Sequence, residues 1–116
     1  MAEYTYDLAR FSAEMTWESL PADVIDKMKT HVLDTLGVSL RASLSPQSQQ
    51  TVAVMRAMGG APECTVLGHE FKTNVLDAAY LNSAMGHVLD FDDGHKFAHL
   101  GAAIVPTCLV LSKKRI

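Results

Sequence analysis

Cysteine is scarce in this chain of 116 residues. The two present, Cys64 and Cys108, lie 44 positions apart, with no CxxC spacing and no paired-histidine motif beside them. That excludes a disulfide scaffold and predicts two buried thiols in a reducing compartment. Cationic residues are few outside the tail. Lys113, Lys114 and Arg115 hold three of the ten, so residues 1–112 carry 7 positive against 13 negative groups, a net of −6. An acidic body argues against nucleic acid or an anionic membrane surface as the main partner. No apolar run approaches the ~18 residues needed to span a bilayer. The first ten residues include Glu3, Asp7 and Arg10 and lack the apolar core of a secretion signal. A soluble, cytoplasmic protein is expected.

What is present is ordinary for a globular domain: 48% apolar and 20% charged residues. A chain of this size amounts to one domain and can bury roughly two thirds of its unfolded surface. The punctuation predicts about five helices and one short extended segment, a mainly α fold. Leu8, Phe11 and Met15 recur at helical spacing over 5–15. Pro21 opens a second helix reaching about Ala42, whose expected core stripe is Val24, Ile25, Met28, Val32, Leu33, Leu36 and Leu40. Gly37 in that helix predicts a close helix approach, and Trp17 before it a core or staple aromatic. Ser45-Pro46 opens a third helix that stops at Gly59-Gly60. Residues 61–68 are the one strand-like piece. A fourth helix begins near Thr73 as N-cap, and its small residues Ala78, Ala79, Ser83, Ala84 and Gly86 predict tight packing. A fifth begins near Gly101 with an apolar face of Ile104, Val105, Leu109, Val110 and Leu111 that nothing later in the sequence covers. The six methionines fall at core-like helical positions.

Chemistry concentrates in one loop. His87, Asp90, Asp92, Asp93, His95 and His99 fall within thirteen residues. Three like charges in four positions are unfavourable unless something offsets them. A solvated acidic loop, a metal site and metal-free acid–base catalysis all fit the residue types. His87 and Asp90, three apart, have the spacing of one helix face, and His95 and His99 add nitrogen ligands. As a calcium loop the segment fails, with Gly94 at its fifth position and Gly101 at its twelfth. A histidine poised near neutrality, flanked by carboxylates that set its tautomer, is what carbon proton transfer needs. Spacing alone does not choose between the last two. No GxSxG supports a serine nucleophile, no Gly-Lys-Ser/Thr follows Gly59-Gly60, and His31 and His69 stand alone as structural or exposed residues.

The ordered series LARF, TWESLPADVIDKMKTHVLDTLGVSL, GG-APECTVLG, LNSAMGHVLDFDDGH and H-x-GAAIVP resembles the MmgE/PrpD family. That family includes 2-methylcitrate dehydratases, cis-aconitate decarboxylases and an iminodisuccinate epimerase. The resemblance covers essentially the whole chain and implies the N-terminal part of an all-helical domain, residues 1–116, without the family's lid domain. It implies Asp90 and His99 as catalytic residues, and His87, Asp93 and His95 as lining the substrate pocket. The implied reaction is metal-free dehydration, decarboxylation or epimerisation of a small di- or tricarboxylic acid, with no cofactor. The implied assembly is a homodimer or an association through the C-terminal helix. Two departures stand out. Gly94-His95 replaces the Thr that dehydratase and decarboxylase relatives commonly carry, which leans toward the epimerase-type or an uncharacterised branch. His99-Leu100 replaces His-Pro. The family's further lysines and tyrosine come from later sequence, so the chain alone is expected to be inactive. The alternative is a non-catalytic helical module or subunit from a truncated or split gene.

Overall fold

A computed structural model describes residues 2–94, 96 and 98–113. Within them the chain is mainly helical: α1 (Ala2–Glu14), a 3-10 turn (Trp17–Ser19), α2 (Ala22–Ala42), α3 (Pro46–Met58), strands β1 (Cys64–Thr65) and β2 (Lys72–Thr73), α4 (Val75–His87) and α5 (Leu100–Lys113). Local chemistry explains the boundaries. Pro21 precedes α2 in an extended conformation, and the Ser45 hydroxyl accepts a hydrogen bond from the Ser48 amide ahead of Pro46. Gly59, at φ 79°, ends α3 where a side chain would be strained.

The extended segment has a partner. β1 pairs antiparallel with β2, Cys64 opposite Thr73 and Thr65 opposite Lys72. Asn74 rather than Thr73 therefore caps α4, its side chain accepting from the Asp77 amide at 3.0 Å. Strands of two residues cannot hold themselves together. Buried Asn82 of α4 does it for them, accepting from the Leu67 amide at 2.8 Å and donating to the Thr65 carbonyl at 3.1 Å.

Helix α4 is the centre of the packing. Its Leu81 and Met85 join Ala42, Val52 and Val66 in one core cluster, and its Ala78 joins Cys64 and Val110 in another. The small-residue face of α4 packs as expected: a Cβ at Gly86 would lie 3.3 Å from the Ala102 backbone of α5. Proline at 106, inside α5, has no amide to donate to the Ala102 carbonyl.

Several expectations are corrected. The buried face of α2 is Thr35, Val38, Ser39 and Ala42. The predicted stripe is not the buried one: Val24, Met28, Leu33 and Leu40 are exposed and Ile25, Val32 and Leu36 half-buried. Trp17 is exposed, and with Leu20, Ile25, Met28 and Leu36 it lines an open apolar groove of about 450 Å³. Nothing lies within 4 Å of a Cβ built at Gly37, so the close helix approach is at Gly86 instead. Cys108 is exposed while Cys64 is buried. On α5, Val105 and Val110 are buried against the core, leaving Ile104, Leu109 and Leu111 exposed. Met85 is buried, but Met15, Met28 and Met58 are exposed. No helix among the described residues is long and apolar enough to cross a membrane.

Candidate active site

Helix α4 ends at His87, and the chain turns back through a tight bend in which the Asp90 amide donates to the His87 carbonyl at 2.8 Å. Asp90 takes φ 49°, a left-handed conformation that aspartate tolerates better than most residues. Because the helix stops at 87, His87 and Asp90 do not share a helix face, contrary to their spacing. The reversal instead carries Asp92 back beneath His87 and next to His99, just ahead of α5.

The Asp92 side chain is fully buried, with 0% of its surface exposed. Its carboxylate lies 3.0 Å from His87 Nδ1 and 3.3 Å from His99 Nδ1. The two rings meet edge to face with centroids 5.0 Å apart. An ionised carboxylate only accepts, so His87 presents Nδ1–H to Asp92. In the neutral form His87 Nε2 then keeps its lone pair. The macrodipole favours this arrangement at both ends: His87 closes the C-terminus of α4, where positive charge is welcome, and Asp92 sits near the N-terminus of α5. Beside the rings is an open depression of about 340 Å³, lined by Ser83, His87, His99, Ala102 and Ala103.

Asp90, Asp92, His87 and His99 each offer a ligand atom, and these atoms all lie within 4.8 Å of one another. The structure therefore brings together His87, Asp90 and His99 from the sequence reading and adds Asp92, which that reading placed in the loop without a role. Gly94 adjoins the same group, since a Cβ there would stand 3.8 Å from the His99 ring. A threonine at this position would touch that histidine. His95 lies outside the described residues. Lys96 is exposed at φ 54°, and among the described residues no lysine or arginine lines the depression.

Asp93 faces the other way. Its Oδ2 pairs with His31 Nδ1 of α2 at 3.1 Å, while Oδ1 is buried without a hydrogen-bond partner. A Cβ at 101 would overlap that carboxylate, so the close approach of loop and helix requires glycine there. His31 is thus a structural residue, the tie between α2 and the loop that follows α4. It is four, seven and eleven positions before Thr35, Val38 and Ala42, all on the buried face of α2. That spacing was the available sequence signal. His69, by contrast, stays apart; burial, then the positive charge of Arg56, lowers its pKa from 6.5.

Residues 6–115 match the family model described as the MmgE/PrpD N-terminal domain. A cis-aconitate decarboxylase-like protein, oryM, of Aspergillus oryzae is 29% identical over 101 residues, covering 87% of this chain and 21% of that protein. A cis-aconitate decarboxylase of Aspergillus terreus is 23% identical over 111 residues, covering 94% of this chain and 23% of the relative. The chain thus spans about a fifth of the length of the curated relatives it matches. With the family model covering nearly every residue that the helices and the loop between α4 and α5 are built from, the chain belongs to the MmgE/PrpD family.

Proposed function

We propose that this chain supplies the acid–base part of an active site that moves a proton next to a carboxylate in a small di- or tricarboxylic acid. The outcome would be dehydration, decarboxylation or epimerisation, without a metal. The observation that carries the reading is the buried Asp92 carboxylate between two imidazoles. It holds the His87 ring by a hydrogen bond at Nδ1, stands 3.3 Å from His99 Nδ1, and would stabilise each imidazolium once charged. His99 is assigned as the general acid or base, with Asp90 binding substrate or orienting it. His87 is its neighbour on the pocket wall. Asp93 acts through His31 by setting the loop, and His95 is assigned to the pocket on family resemblance. The names of the fungal relatives make cis-aconitate the first substrate to test, and the absence of a side chain at Gly94 leaves room beside His99 that an epimerase-type substrate could use.

A polycarboxylate needs cations, and among the described residues the lining supplies none beyond protonated histidine. Without preorganised positive charge the 116-residue chain is expected to be inert by itself. The proposal places the protein in the cytoplasm, as a homodimer or associating through the exposed residues of α5. A second reading, a non-catalytic helical module, is favoured by α1, whose described side chains are all exposed.

The test is a chimera in which residues 6–115 replace the matching segment of the Aspergillus terreus decarboxylase. CO2 release from cis-aconitate and deuterium uptake beside its carboxylates are measured in D2O. A folded chimera should turn over, and His99→Gln should lower its rate at least ~100-fold. An unchanged rate in His99→Gln would remove the assigned base. Turnover by the 116-residue chain alone would overturn its expected inertness.

A further inference from the structure

We infer that His87, Asp90, Asp92 and His99 form a binding site for one transition-metal dication, Zn²⁺ above all. The inference concerns binding alone and stands on ligand geometry, whether or not the proton-transfer reading holds. Two imidazole nitrogens and two carboxylate oxygens make a donor set of intermediate softness. It suits Zn²⁺, Co²⁺ or Ni²⁺ and is poor for Mg²⁺ or Ca²⁺, which prefer oxygen alone.

The spacing is close to what such an ion requires. Ligands at the ~2.0–2.2 Å distances of tetrahedral zinc stand roughly 3.3–3.5 Å from one another. Asp92 Oδ2 is 3.2 Å from His87 Nδ1 and 3.3 Å from His99 Nδ1, so two edges of the tetrahedron already have nearly that length. No pair of the four candidate atoms is wider than 4.8 Å. Asp90 is exposed, on the loop beyond α4, where its side chain is free to close the set.

Three features distinguish this cluster from a chance grouping of surface charges. Asp92 is already stripped of solvent, so a dication would offset the carboxylate's buried charge at little added desolvation cost. The ligands come from the last residue of one helix, the loop, and the residue before the next, so an ion would clamp α4 to α5. That framework is braced from outside by the His31–Asp93 pair. Two neutral imidazoles and two carboxylates also bring two negative charges, which balance one dication.

A metal seated on the two Nδ1 atoms would leave each ring's proton on Nε2, the atom whose lone pair proton transfer needs. Metal and substrate chemistry therefore exclude each other at these residues, and zinc would act as an inhibitor of the proposed reaction rather than its cofactor.

The experiment uses the 116-residue chain and Zn²⁺ alone. Calorimetric titration against a competing chelator, with metal analysis after dialysis, should give one ion per chain and a dissociation constant of ~10 µM or tighter. Co²⁺ should report four-coordinate nitrogen and oxygen ligation by its visible absorption. His87→Gln and His99→Gln, checked for folding by circular dichroism, should each weaken binding at least ~10-fold. His69→Gln and Cys108→Ser should leave it unchanged. Absence of binding at ~1 mM, equal binding by the His87→Gln/His99→Gln double variant, or loss of binding in Cys108→Ser would each overturn the inference.

Discussion

Helices α1 and α4 are both thirteen residues long, and they meet opposite fates. α1 has evenly spaced apolar residues, yet Leu8 and Phe11 are more than half exposed. α4 is apolar nearly all round, and five of its residues are buried against α2, α3, α5 and the hairpin. The same division runs through α2. Its C-terminal half buries Thr35, Val38, Ser39 and Ala42, while Val24 and Met28 in its N-terminal half, and Leu33 at the middle, face outward. A regular amphipathic stripe shows that a face is meant to be covered, but not by which element. An all-round apolar helix leaves less choice, because only the middle of a packed unit satisfies it. The Asp-rich loop is anchored on the second kind of helix, emerging from the end of α4 and returning at the start of α5.

The sharpest way to break this contrast is to remove the same side chain from both regions. Leu81→Ala should cost ~2–5 kcal/mol in urea unfolding, whereas Leu33→Ala, at a site 72% exposed, should stay within about 0.5 kcal/mol. A large cost at Leu33 would show that the outward face of α2 is covered in solution. Glycines give the next largest difference. Gly101→Ala drives a methyl group into the Asp93 carboxylate and should cost ~1–3 kcal/mol, with NMR shifts at His31, His87 and His99. Gly37→Ala, in open space within a helix, should instead gain ~0.5–1 kcal/mol. Opposite signs are expected from one chemical change, and equal signs would end the contrast.

The smallest effect comes from His69. Its folded pKa is lowered, so below 6.5 the unfolded chain binds more protons than the folded one. Stability should therefore fall as pH drops below about 6.5 and recover above it. Unfolding free energy measured from pH 5 to 8 should show this component in the native protein and lose it in His69→Gln. An identical pH profile in the two proteins would show that His69 is not held in its neutral form.

Helix boundaries were legible because their causes are local: Pro21, Ser45-Pro46 and Gly59 act on their own backbone. The second strand was not, because Lys72-Thr73 becomes a strand only by pairing with Cys64-Thr65. The loop after α4 stood out by residue type, and ligand atoms of Asp90, His87 and His99 lie together. Asp92 could not be told from its neighbours until the bend after His87 was known, since a one-residue change there would present a different carboxylate to the rings. His31 and Asp93 are 62 positions apart, and only the helical spacing of His31 with Thr35, Val38 and Ala42 hinted at the link. The stripe on α2 misled for the converse reason: apolar periodicity identifies a face without saying what lies opposite.

Asn82 has a consequence for the order of assembly. The hairpin's loop amide and a strand carbonyl are bonded to a side chain that points toward them only when α4 is wound. The helix can form from contacts close in sequence, while the two-residue strands have too few bonds of their own to persist. The helix is thus the template and the hairpin the dependent piece. During folding, the segment from Cys64 to Thr73 waits on α4, and any lesion that unwinds the helix around residue 82 dissolves the small sheet with it.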